Sequence, residues 1–75
     1  MEIKEDIKIH DFRFEVKLDV NIESMYASIM SVTIYYIGVD PFGLRLSPGG
    51  TTYVLDAYMD ELESQIDDIV ERLEL

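Results

Sequence analysis

Over residues 12–22 apolar and polar side chains alternate without an error, with Phe12, Phe14, Val16, Leu18, Val20 and Ile22 on one side and Arg13, Glu15, Lys17, Asp19 and Asn21 on the other. A period of two sends successive side chains to opposite faces, so this segment reads as a β-strand with one dry and one wet face. Such a strand needs a sheet around it and a second layer over its apolar side. Upstream, Ile3, Ile7 and Ile9 sit at odd positions. The phase therefore slips between Ile9 and Phe12, which predicts a bulge or turn at His10 and Asp11.

Residues 31–39 are dense in β-branched and aromatic side chains and read as another strand, starting near Ala27. Val32, Ile34 and Tyr36 fall on one face and Tyr35, Ile37 and Val39 on the other, so both faces look apolar. Asp40-Pro41-Phe42-Gly43 has the residues of a type I turn: Asp first, Pro with its preset φ second, Gly fourth. Residues 44–47 read as a short strand, Pro48-Gly49-Gly50 as a second turn and residues 51–55 as a further strand. Met59, Leu62, Ile66, Ile69 and Leu73 then recur at steps of three and four, the mark of a helix with one buried stripe, with Asp56 as its N-cap.

This pattern predicts a single α+β domain over residues 1–75. Its sheet is an antiparallel β-meander of three to four strands (residues 3–22, 27–39, 44–47 and 51–55), packed by one C-terminal helix over residues 56–74. At 75 residues folding buries only about 60–65% of the unfolded chain's surface, and no cysteine is present to staple a thin core. One helix about 10 Å wide covers one sheet face. The other, with Tyr35, Ile37 and Val39, is left for solvent, for a twin subunit or for another protein.

Charge narrows the function. Sixteen acids oppose six bases, a net of −10. Residues 1–55 carry eight acids and five bases, and residues 56–75 carry eight acids and one base, Arg72. Direct binding to nucleic acid or to an anionic membrane is disfavoured, and basic protein surfaces are the electrostatic partners expected. No apolar run reaches the length of a membrane span, and the first residues do not read as a secretory leader, so a cytoplasmic protein is expected. His10 is the lone histidine, so neither a histidine metal cluster nor a Cys/His pair can be built. Residues 47–52 lack the lysine and glycine spacing of a phosphate loop. The expectation is a protein without catalytic residues, metal or cofactor.

On the predicted helix Asp60, Glu63, Asp67, Glu71 and Glu74 form a continuous stripe whose spacing per turn is close to that of successive phosphates on a nucleic-acid strand. In size and charge the chain resembles the small acidic inhibitors of phages and mobile elements, among them DNA-mimic anti-restriction and anti-CRISPR proteins, a likeness of type that involves no shared motif. The leading expectation is a non-enzymatic inhibitor of that kind that occupies a basic, nucleic-acid-holding protein surface, and the carboxylate face of the predicted helix supplies its contacts: Asp60, Glu63, Asp67, Asp68, Glu71 and Glu74. The alternative is a homodimeric structural or assembly component joined through Tyr35, Ile37 and Val39, whose acidic helix only confers solubility.

Overall fold

A computed structural model describes residues 1–73 of the chain. Four strands, β1 (Glu2–Ile9), β2 (Phe12–Asn21), β3 (Tyr26–Tyr36) and β4 (Leu44–Arg45), form one antiparallel sheet in the order β1-β2-β3-β4, and a single helix, α1 (Pro48–Leu73), packs on it. The α+β meander expected from the alternation is the architecture found.

The phase slip at His10 and Asp11 is a two-residue hairpin loop. Ile9 pairs with Phe12, and His10 takes a φ of 53°, a left-handed conformation in which histidine is enriched over most residues. The stretch 3–22 is thus two strands rather than one. It ends at Asn21, whose Oδ1 accepts hydrogen bonds from the backbone N–H groups of Glu23 (3.1 Å) and Ser24 (3.2 Å). That Asx-type turn carries Ile22 out of the strand, so Ile22 is exposed instead of joining the core.

The buried residues Ile7 and Ile9 of β1, Phe14, Val16, Leu18 and Val20 of β2, and Ile34 of β3 form one sheet face, met by Val54, Leu62, Ile66, Ile69 and Val70 of α1. Tyr58 sets the depth of the helix at one end of this core: its ring lies 5.6 Å from that of His10, 5.9 Å from Phe12 and 6.3 Å from Phe14. Tilted and edge-on ring pairs at such distances add about 0.5–1.5 kcal/mol each beyond the area they bury.

Strand β3 holds a feature that period-two counting does not carry. Lys17 pairs with Ser31 but Leu18 pairs with Ile29, leaving Met30 as the extra residue of a β-bulge. The core side of β3 therefore changes parity, from Tyr36, Ile34 and Val32 to Ile29 and Ala27. β3 also stops at Tyr36, short of the expected 39.

The main correction concerns residues 48–55, which are helical and not a turn followed by a strand. Ser47 is the N-cap: its Oγ accepts from the Gly50 N–H (3.2 Å), and its carbonyl takes the first helical bond from Thr51 N–H (2.8 Å). Pro48 then occupies the first helical position, where its missing N–H is not needed. Asp56, expected as the cap, stands inside the helix. The added turns make α1 26 residues long, about 39 Å at 1.5 Å per residue, which matches the 39 Å long dimension of the molecule.

Candidate acidic interface

Against the sheet α1 buries one stripe, and its opposite side carries the carboxylates. Asp56, Asp60, Glu61, Glu63, Asp67, Asp68 and Glu71 are all exposed. At about 100° per residue, Asp56, Asp60, Glu63, Asp67 and Glu71 fall within a wedge about 80° wide, one continuous row along the helix. Of the predicted contact residues, Asp60, Glu63, Asp67 and Glu71 are thus brought together. Asp68 stands on the other flank with Glu61, and Glu74 lies outside the described residues. Sequence reasoning missed Tyr53, 78% exposed, which heads the same row. The Ser47-Pro48 cap signature was the signal that would have placed it on a helix.

The outer face of the sheet is built differently. Register places Lys8 opposite Arg13, Asp6 opposite Glu15, Lys4 opposite Lys17 and Glu2 opposite Asp19, so bands of like charge alternate along the strands. Directly opposed like charges are unfavourable in a sheet, and the pairings that form run along and across the bands. Arg13 reaches Glu15 at 3.4 Å and Asp6 at 3.6 Å, Lys17 reaches Glu2 at 3.7 Å, and the terminal ammonium of Met1 reaches Asp19 at 3.3 Å. All four acids of this face are paired. Among the described residues no helix carboxylate has such a partner. Arg72, the one base on α1, turns its Nε to the backbone carbonyl of Asp68 at 3.4 Å.

That contrast has an energetic side. Asp56/Asp60, Asp60/Glu63, Glu63/Asp67, Asp67/Glu71 and Asp68/Glu71 are like-charged neighbours three or four residues apart. At about 0.2–0.5 kcal/mol each they destabilise α1 by about 1–2.5 kcal/mol at low salt.

The residues expected at a dimer interface are spread over different surroundings. Tyr35 is half-buried under the Arg13 guanidinium, whose Cζ sits 4.2 Å from the ring centroid. Ile37 is half-buried beyond the end of β3, its N–H donating to the Asp11 carbonyl at 2.8 Å. The turn at residues 40–43 folds over both: Gly43 N–H donates to the Asp40 carbonyl (2.9 Å) and Phe42 N–H to Asp40 Oδ1 (2.9 Å). A Cβ on Gly43, whose φ is +89°, would stand 2.7 Å from Tyr35 Cβ and 3.2 Å from Ile37 Cγ2. Glycine is required there on both counts. Val39, by contrast, is 82% exposed in the loop, near in sequence to the equally exposed Phe42.

Among the described residues no three His, Asp or Glu side chains converge as metal ligands, and no helix is long and apolar enough to cross a membrane. Compared with protein-family models, curated proteins and solved structures, the chain matches none.

Proposed function

We propose that this chain is a non-enzymatic binding protein whose α1 carboxylate row docks on a basic protein surface that otherwise holds nucleic acid, in the manner of nucleic-acid-mimicking inhibitors carried by phages and mobile elements. One observation carries the reading: acids on the sheet's outer face are paired with neighbouring cations, whereas among the described residues the acids of α1 stand exposed without such partners, five of them, Asp56, Asp60, Glu63, Asp67 and Glu71, in one row. A chain that needed its acids for solubility alone had bases within its own composition to scatter among them. Keeping the row unpaired costs stability in a domain with a thin core, and a cationic partner recovers that energy on binding. The length of the row, most of α1, suits a groove shaped for a nucleic-acid strand. Tyr53 at its head supplies an aromatic anchor of the kind enriched in binding hot spots.

Affinity capture from a host lysate at low ionic strength tests this. Nucleic-acid-binding proteins should be retained, released by salt and displaced by duplex DNA. Asp67→Lys combined with Glu71→Lys should abolish retention while the circular dichroism spectrum stays that of the parent. Retention undiminished by the double substitution refutes the reading.

A further inference from the structure

The sheet ends on an open strand of unusual composition. β3 has eleven residues, yet β4 pairs only with Tyr35 and Tyr36, and one further bond runs from Leu46 N–H to the Ile34 carbonyl. Along residues 26–33 no strand lies on that side, and Ser28, Ile29, Met30 and Ser31 are exposed. Open edges are ordinarily protected by charge, proline or inward-turned charged residues. β1, the opposite edge, follows that rule: it carries Glu2, Lys4, Glu5, Asp6 and Lys8, and Glu5, opposite Val16, lies on the core side. β3 does not. From Tyr26 through Val39 the chain has no charged residue and no proline, and the Met30 bulge is its one irregularity.

Beside this edge the sheet and helix enclose a groove, with Met25 and Ile29 on one wall and Ile66 on the other, between Glu63 and Asp67. We propose that the open edge of β3 takes up an extended, basic segment of a partner protein as an added strand. Main-chain hydrogen bonds along residues 26–33 supply the pairing, and lysine or arginine side chains on the helix side of the new strand reach Glu63 and Asp67. The spacings agree: alternate residues of a strand are about 6.8 Å apart, and carboxylates four residues apart on a helix about 6 Å. This is strand addition with charge selecting the occupant.

A second copy is the obvious rival for any free edge, and charge opposes it. Antiparallel β3–β3 pairing relates two copies by a two-fold axis normal to the sheet, so both helices lie on the same side. The Glu63 and Asp67 flanks would then face each other, in molecules of formal charge −10 each. A basic strand turns the same arrangement into attraction. The inference rests on the carboxylate row's being a binding surface, and it adds the form in which the partner arrives.

The test uses a fluorescent peptide of alternating lysine and valine, as long as the edge, and a copy N-methylated at alternate amides, which keeps the charge but cannot pair along one side. At low salt the parent peptide should bind, slow amide exchange in residues 26–33 and leave exchange in β1 unchanged. The methylated copy should bind at least about tenfold more weakly, since several main-chain bonds are lost. Glu63→Lys with Asp67→Lys should weaken the parent peptide by a similar factor. Equal binding of both peptides without protection of β3, but lost with the lysine substitutions, overturns strand addition and leaves the acidic row standing. Protection of β3 that ignores both salt and the lysine substitutions overturns the charge selection, and with it the functional reading above. Absence of peptide binding, or light scattering from a β3-paired dimer, overturns the inference outright.

Discussion

Replacing Ser47 by alanine removes the acceptor that holds the Gly50 N–H at 3.2 Å and leaves the first turn of α1 without its side-chain cap. Loss of such a cap typically costs about 1 kcal/mol, whereas Ser47→Gly should cost a few tenths. For a domain of this size 1 kcal/mol corresponds to a fall in Tm of about 4–8 °C. Asp56→Ala makes the opposite prediction. It removes one repulsion, with Asp60, of about 0.2–0.5 kcal/mol and places the best helix former at an exposed interior position, gaining up to about 0.7 kcal/mol. Thermal melts followed by far-ultraviolet circular dichroism should therefore show Ser47→Ala falling below the parent and Asp56→Ala matching or exceeding it. Over the described residues the parent spectrum should report helix at 26 of 73, about 36%, where a helix starting at Asp56 would give 18 of 73, about 25%. A Tm lowered by Asp56→Ala and untouched by Ser47→Ala would refute the assignment of the helix start, and with it the place of Tyr53 at the head of the carboxylate row.

Two further outcomes follow from the charges and the turn. Raising ionic strength from about 0.01 M to about 1 M shortens the screening length from roughly 30 Å to roughly 3 Å, so Tm should rise by several degrees as the α1 repulsions are screened; a fall would mean that the ion pairs of the sheet face outweigh them. Gly43→Ala should destabilise by about 1–3 kcal/mol, read as a lower midpoint in urea, because the new Cβ meets Tyr35 in a left-handed backbone; an unchanged midpoint would show that the turn does not clamp Tyr35 and Ile37.

Much of the fold was legible because local and global preferences agree. The alternation in β2, the phase slip at His10 and the Asp40-Pro41-Phe42-Gly43 turn each follow from a period or a dihedral that the residues themselves impose. The helix start departs from local preference: Thr51, Thr52, Tyr53 and Val54 favour strands and Gly49 and Gly50 disfavour helices, while packing of Val54 and Leu55 against the sheet overrides those weak preferences. Ser47-Pro48 was the contrary signal. The buried stripe also includes Val54 and Val70, which the three-four spacing does not pick out, and Leu73, the last residue of that spacing, is 36% exposed. The Met30 bulge lies beyond any count by twos, since it depends on which residue of β2 is faced. The same holds for the open edge, which exists because β4 is two residues long. The acidic row itself was visible as charge, but that its members lack partners depends on the sheet gathering Lys4, Lys8, Arg13, Lys17 and Arg45 on its far side.

The banded outer face also bears on handling. All three lysines, Lys4, Lys8 and Lys17, project from it, and the terminal amine sits beside Asp19 at the same surface. Coupling to a sensor chip through primary amines thus attaches the molecule by this face, with the carboxylate row of α1 on the side away from the chip.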